Sequence, residues 1–254
     1  GPGGEKGWLF GTIHQLPREA DWRTPTVSRA LDQADSLVLE IAAIDDDAKT
    51  AAAFTALAKS PNLPPLSRRI DPKLRSALDK VIAEDRLDPA ALSALETWAA
   101  ALTLASASSK DTSPDNGIDR ALVRAFPDKT RLEFEGAQDQ LAIFDRLPET
   151  DQRSLLEATL RDDPGEASEE QLAEAWRKGD MNVIARETRT GMLANPALRK
   201  ALYLDRNLAW QAKLEAILRQ GRRPFVAVGA AHMAGSDGLP ALLAARGWKV
   251  MRIQ

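Results

Sequence analysis

The sequence predicts an α/β fold: a small central sheet built from two similar units, one at each end of the chain, with a large helical insertion between them. Three observations carry this. Short apolar runs of strand length, bounded by Gly or polar residues, cluster at the two ends. The stretches between them carry helix caps and helical spacing of apolar residues. The two ends also repeat one order of elements.

In chain order, Gly1-Pro2-Gly3-Gly4 reads as a tag-cleavage remnant with a spacer, the natural N-terminus having been removed. Residues 5–254 then form one domain. Trp8-Leu9-Phe10 is a buried strand, and Thr24-Pro25 caps a helix over residues 27–34. Ser36-Leu37-Val38-Leu39-Glu40-Ile41 is the second strand. An all-helical insertion follows from about Asp45 to Lys129. Asp71-Pro72 opens a helix to Glu84, Asp88-Pro89 opens a long one to about Ala107, and a third covers residues 115–125. A weaker strand spans residues 130–135. Helices fit residues 137–146, 151–160, 168–178 and 196 to about 219, the last with Leu198, Leu202, Ala209, Ala212 and Leu218 near one face. Pro224-Phe225-Val226-Ala227-Val228 is a strand, residues 239–246 a helix, and Trp248-Lys249-Val250-Met251-Arg252-Ile253 alternates as a closing strand. The acidic clusters Asp45-Asp46-Asp47 and Asp162-Asp163 read as solvated helix starts or turns.

Each end therefore reads strand, Gly-x-x-His, helix, strand. Such units favour parallel strands, and ligands gather outside the carboxyl ends of parallel strands. Both histidines, His14 and His232, fall at that end and belong in one site.

Bulk composition narrows the function. A formal net charge of −3 leaves no basic footprint for nucleic acid. No apolar run reaches the roughly 18–20 residues that span a bilayer. Cysteine is absent, which excludes disulfides, thiolate nucleophiles and Cys metal ligands.

The chain holds only two histidines, and each is the last residue of a Gly-x-x-His directly after an apolar run. With 15 glycines in 254 residues, chance seldom makes that arrangement once, and twice less often. Gly lets the backbone turn sharply or approach a neighbour as it leaves the sheet. The imidazole is then suited to bind a metal or move a proton. Glu40 ends its strand at the same side of the sheet, where a carboxylate ligates a metal, orients a His, acts as a base or pairs with an Arg. Glu133 and Glu135 point to one face, and Glu135, at a strand-to-helix junction beside Gly136, is the better candidate. Asp119 reads first as a helix cap. Arg206, in Arg206-Asn207, is suited to clamp an oxyanion or to form an internal ion pair, and Tyr203 sits one turn earlier.

These residues resemble the TraB/GumN family. Leu9-Phe10-Gly11-Thr12-Ile13-His14 with a following Pro, and Ala34-Asp35-Ser36-Leu37-Val38-Leu39-Glu40, resemble its opening. Gly117-Ile118-Asp119, Phe134-Glu135 with Gln140-Leu141, Asp205-Arg206-Asn207, and Val226 to His232 with Gly235 and Gly238-Leu239 resemble its later blocks. The chain departs from the family pattern at Phe134, Gly136 and Asp205. The family includes the TIKI proteins, described as divalent-metal-dependent proteases, and is related to the EreA/ChaN-like superfamily. Its fold is given as two ββα units with extra helices.

The resemblance implies a metal-dependent hydrolase of peptide type. His14, His232 and Glu40 would be metal ligands, with Glu40, Glu135 and Arg206 as catalytic residues. Manganese, cobalt or zinc would be the divalent ion, and the partner would be a peptide or small-molecule substrate. It also implies export, the signal segment being among the residues removed. Two further readings stand beside it: metal-free hydrolysis with a His base and a Glu partner, and a module that binds a peptide or small molecule without turnover. Ligands of one metal would bring the two imidazole nitrogens within roughly 3–3.5 Å of each other.

Overall fold

The computed structural model describes residues 1–109, 111–161 and 167–254, so the expectation for Asp162 and Asp163 lies outside the described residues. Four strands, β1 (Trp8–Thr12), β2 (Ser36–Leu39), β3 (Thr130–Glu133) and β4 (Pro224–Gly229), form one parallel sheet in the order β1-β4-β2-β3. The last strand thus inserts between the first two, with Thr12 opposite Gly229 and Leu39 opposite Ala227. That insertion brings the two ends of the chain side by side.

Helix α1 (Pro25–Gln33) joins β1 to β2, and the Thr24 hydroxyl accepts from Val27 N at its start. Between β2 and β3 run α2 (Asp47–Leu57), α3 (Arg75–Glu84), α4 (Pro89–Ser93), α5 (Thr97–Ser108) and α6 (Ile118–Ala125). Between β3 and β4 run α7 (Ala137–Asp145), α8 (Glu149–Thr159), α9 (Glu169–Lys178), α10 (Met181–Glu187), α11 (Pro196–Arg199) and α12 (Asp205–Arg219). Helix α13 (Leu239–Ala245) follows β4.

Strand alternation sends successive side chains to opposite faces, and both faces are covered. Leu37, Leu39, Phe225 and Ala227 pack on Val27, Ala30 and Leu31 of α1 and on Ile118, Leu122 and Val123 of α6. Val38, Val226 and Val228 pack on Trp210, Leu214 and Leu218 of α12 and on Leu239 and Leu243 of α13. A separate core around Trp98, Leu104, Leu155, Leu156 and Leu198 holds the helical part together.

Three expectations are corrected. The helix expected to run from Asp88-Pro89 to about Ala107 is two helices, broken at residues 94–96. Tertiary bonds take the backbone there: Arg69, fully buried, donates to the carbonyls of Pro64, Ser93 and Leu95, and Glu96 N donates to Ala58 O. The helix expected over residues 196–219 contains a π-helical stretch, Lys200–Leu204, between α11 and α12. Residues 248–253 form no strand. A strand needs a neighbouring backbone to bond, and this tail is instead tied by Arg252 to Gly179 O and by Thr24 to the Gln254 side chain. The second unit therefore stops at its helix.

Candidate active site

Every strand delivers one site residue at its carboxyl end. His14 follows β1, Glu40 follows β2, Glu135 follows β3, and His232 follows β4 on a short turn of 3-10 helix, Ala230–Met233. A fifth group, Arg206, comes from the first turn of α12 and lies among them.

His14 is held from behind. Its Nδ1 donates to Asp119 Oδ2 at 2.8 Å, and Thr12 Oγ1 donates to Asp119 Oδ1, also at 2.8 Å. Asp119 is buried at the start of α6, whereas the His14 side chain is 52% exposed. Its Nε2 lies 3.7 Å from Glu40 Oε1. Desolvation within the site opposes a charge on His14. The Asp119 charge and hydrogen bond, with Glu40 beside them, outweigh it and raise the His14 pKa to about 9.

Glu40 is buried, and burial alone would raise its pKa. The charges of His14 and Arg206 and the Gly229 N–H reverse that and lower it to about 2. Its Oε1 accepts from Gly229 N at 2.8 Å and its Oε2 from Arg206 Nη2 at 2.7 Å. Arg206 also donates from Nε and Nη2 to Glu135, at 3.0 and 2.9 Å, and its guanidinium lies 4.5 Å from the centre of the Trp210 ring. Trp210 Nε1 donates to Glu135 Oε1 at 2.8 Å. The remaining guanidinium nitrogen, Nη1, donates to Leu202 O at 3.3 Å and faces His232 Nε2 at 3.4 Å. The five N–H groups of Arg206 are thus turned on protein acceptors, two carboxylates foremost.

His232 is almost sealed, with 7% exposure. The rings of Tyr203 and Trp210 lie against it, centroids 5.5 and 4.4 Å away. Asn207 Nδ2 donates to Asp237 O, which turns its Oδ1 towards His232 Nδ1 at 2.6 Å. Nδ1 therefore carries the proton, and the Nε2 lone pair faces Arg206. Burial lowers the His232 pKa to about 3, Glu40 opposing and Arg206 reinforcing, so the ring is neutral across the physiological range. Tyr203, Arg206, Asn207 and Trp210 share one face of the helical segment at spacings of three, four and seven residues. The π-helical stretch contains Tyr203 and ends two residues before Arg206; such turns recur at functional sites.

The glycines of the two Gly-x-x-His motifs serve close approach. Gly229 has an ordinary φ of −47°. A Cβ on Gly229 would stand 3.0 Å from His14 Nε2, and one on Gly11 would stand 3.0 Å from Ala230 Cα. Each motif's glycine makes room for the other motif.

This arrangement draws on both ends of the chain, and a match to the TraB/PrgY/gumN family covers residues 1–252. The chain belongs to that family. It is similar to "Uncharacterized protein YbaP" of Shigella flexneri and of Escherichia coli (strain K12). Each is 27% identical over 248 residues, covering 95% of this chain and 89% of the relative. No solved structure matches the chain.

In this TraB/PrgY/gumN chain, His14, Glu40, Glu135, Arg206 and His232 stand in one continuous network. Only His14 and Glu40 of these line the small cleft beside it, of about 130 Å3, together with Leu39, Ile41, Ile44, Asp119 and Gln140. A divalent ion held by His14, Glu40 and His232 would need their lone pairs to converge on one point. The Arg206 guanidinium stands between Glu40 and His232, both Glu40 oxygens are bonded, and His14 Nδ1 is committed to Asp119. Among the described residues, no group of three or more His, Asp or Glu side chains is placed to hold a metal ion. The donor set as arranged does not fit a divalent cation.

Asp119 is the residue that sequence reasoning misassigned. Gly117 occupies the cap position of α6, and the Asp119 side chain makes no cap bond but holds Thr12 and His14. Trp210 and Gln140 were not singled out for the site. The first had a signal, its place four residues after Arg206 on one helix face.

Proposed function

We propose that this chain is a metal-independent hydrolase in which His14 transfers the proton. The observation that carries this reading is the buried Asp119 bonded to His14 Nδ1 at 2.8 Å while the ring stays half exposed at a cleft. A carboxylate behind one imidazole nitrogen fixes the ring and stabilises its protonated form, leaving the other nitrogen to accept a proton from water. Water then attacks the carbonyl carbon of an ester or amide, and its proton passes to His14 Nε2. Collapse of the tetrahedral intermediate breaks the bond to the leaving group, which takes the proton back from the imidazolium. Glu40, 3.7 Å from Nε2, stabilises that imidazolium.

Arg206 acts here as an organiser of Glu40 and Glu135 rather than as an oxyanion clamp, because its donors are occupied. His232, neutral and sealed by Tyr203 and Trp210, completes the acceptors around Arg206. The larger apolar groove of the molecule, about 850 Å3 and lined by Trp8, Phe10, Trp22 and Trp176, contains none of these residues. The His14–Asp119 pair that carries this reading lies at the smaller cleft, and the reaction is assigned there.

The test is hydrolysis of 4-nitrophenyl esters and peptide 4-nitroanilides with and without a chelator. Turnover that survives the chelator and is lost in His14→Asn is expected. Turnover that vanishes on chelation and returns with manganese, cobalt or zinc would overturn the reading in favour of a metal-dependent enzyme. Saturable binding of the substrates without turnover would make the chain a binding module.

A further inference from the structure

We propose that the apolar trench along β1 is the seat of a further strand, supplied by the residues directly upstream of Gly1 in a longer chain and lying between β1 and the C-terminal tail. The proposal is independent of the chemistry at His14. β1 stands at the edge of the sheet and pairs with β4 alone. Gly229 N donates to Glu40, which follows β2, so the odd-numbered residues of β4 face β2, and Val226 and Val228 face β1. By the same alternation Trp8 and Phe10 bond to β4, while Leu9 and Gly11 turn their backbone groups outwards. Gly11 O accordingly accepts from Trp176 Nε1 at 2.7 Å. Among the described residues, no backbone group bonds Leu9 on that outer side.

The trench, about 850 Å3, follows this outer edge. Leu214, Leu218 and Leu243 line it on one face of the sheet and Val27, Ala30 and Trp176 on the other, so both helical layers reach past β1. Residues 248–254 bound it as well. This tail is tied at its start by Trp248 N to Leu243 O and near its end by Arg252 and Gln254. Among the described residues, its backbone from 249 to 254 bonds no other backbone. Val250, Met251 and Ile253 are 39, 65 and 59% exposed. An apolar strand between β1 and the tail covers those side chains and gives the alternating tail the neighbouring backbone it lacks.

The start of the chain shows where such a strand enters. Gly1-Pro2-Gly3-Gly4, which reads in sequence as a spacer, is a closed turn: Gly4 N donates to Gly1 O at 3.0 Å, and Gly4 has a φ of +89°. The Gly1 amino group donates to Glu5 O at 2.6 Å. This is the pattern of a hairpin whose three-residue loop ends in a left-handed glycine, with Gly1 and Glu5 as the first facing pair. Glu5 lies an even number of residues before Leu9 and Gly11, so it presents the same edge. Continued upstream, about the fourth and sixth residues before Gly1 oppose Leu9 and Gly11. Gly1 itself lines the trench. The YbaP relatives are matched over 89% of their length, so they carry residues outside the matched stretch.

Amide hydrogen exchange and tryptic cleavage decide this, comparing residues 1–254 with the chain extended upstream by its own residues. The extension is expected to slow exchange at Leu9 and across residues 249–253 by about tenfold or more, and to slow cleavage after Lys249 and Arg252. Equal rates in the two chains would overturn the proposal. Protection that appears in residues 1–254 as concentration rises, together with a dimer mass, would overturn it in favour of a second copy. Gly4→Val tests the turn without a clash, because a Cβ at Gly4 meets nothing within 4 Å. A branched residue resists the left-handed backbone, so the variant should lose most of the protection in the longer chain and leave the melting of residues 1–254 unchanged. Full protection in Gly4→Val would rule out entry through this hairpin. Deleting residues 249–254 should lower the unfolding temperature more in the longer chain than in residues 1–254, and equal losses would show that the strand does not join the tail.

Discussion

The Nδ1 of His14 stands 2.8 Å from Oδ2 of Asp119, joining residues 105 apart in sequence, while Thr12 pins the other oxygen of the same carboxylate. This pairing has a direct consequence for pH. Asp119 is a main cause of the raised His14 pKa, near 9, so the neutral, proton-accepting form grows as pH rises towards that value. Hydrolysis is therefore expected to increase through an apparent pKa near 9. Asp119→Asn should move that limb to lower pH and reduce kcat by about 10²–10⁴-fold, the usual worth of a positioned general base. With only two histidines in the chain, an NMR titration of the ring protons checks the shift directly. A rate that falls as pH rises through 9 would make the imidazolium the acting form.

Arg206 is the hub of the buried charges. Its replacement by Met leaves Glu40 and Glu135 without their cation, and breaking a buried pair from one side costs about 3–5 kcal/mol. Arg206→Lys should recover little of this, because an ammonium cannot reach two carboxylates, a carbonyl and an imidazole from one planar fork. Urea unfolding of both variants measures the losses. Near-wild-type stability of the Lys variant would show that charge alone, without the fork, suffices.

Stability should peak near pH 6.5. The folded His14 pKa of about 9 exceeds the ordinary 6.5, so its contribution is complete below 6.5 and is lost as pH rises towards 9. His232, lowered to about 3, refuses a proton that the unfolded chain accepts, so stability falls as pH drops from 6.5 to 3. Glu40, lowered from 4.5 to about 2, adds a further loss as pH falls through that lower window. Thermal unfolding across pH should show both limbs, the alkaline one missing in His14→Gln. A transition temperature that stays level from pH 6.5 to 9 in the wild type would contradict the assignment of His14.

The glycines separate function from folding. In Gly229→Ala the new methyl meets His14 Nε2 and Glu40 Oε1, at 3.0 and 3.4 Å, and the half-exposed His14 ring can swing away. Activity should fall, with a smaller loss of stability than in Gly117→Ala, because the ring that moves also carries the Asp119 bond. In Gly117→Ala the methyl would stand 2.1 Å from the backbone oxygen of His14, which cannot move without shifting the chain. That variant should lose more than about 2 kcal/mol or fail to fold, as overpacked sites do. Comparing kcat/KM with the unfolding midpoint for the two variants checks the distinction.

Much of this was legible in one dimension. Four of the five strand signals correspond to β1 to β4, because short apolar runs with β-branched residues between turn signals have few other uses. Thr24-Pro25 marked a helix start that the structure retains. The strand expected over residues 248–253 does not form, because alternation of side chains supplies a pattern but not a neighbouring backbone. The break at residues 94–96 comes from Arg69 and Ala58, distant residues that take hydrogen bonds a continuous helix would have kept. Asp119 looked like a cap because its position in a helix is local information, whereas its bond to His14 is not.

What the sequence determined by itself was which residues leave the sheet at its carboxyl edge: local apolar pattern and the glycines set that, and both histidines and Glu40 follow from it. Only the tertiary structure decided their chemistry. Insertion of β4 between β1 and β2 brings the two motifs together, and α12 then places a guanidinium between Glu40 and His232. Burial and neighbouring charge, which depend on distance in space, leave one imidazole neutral and sealed and the other charged and open.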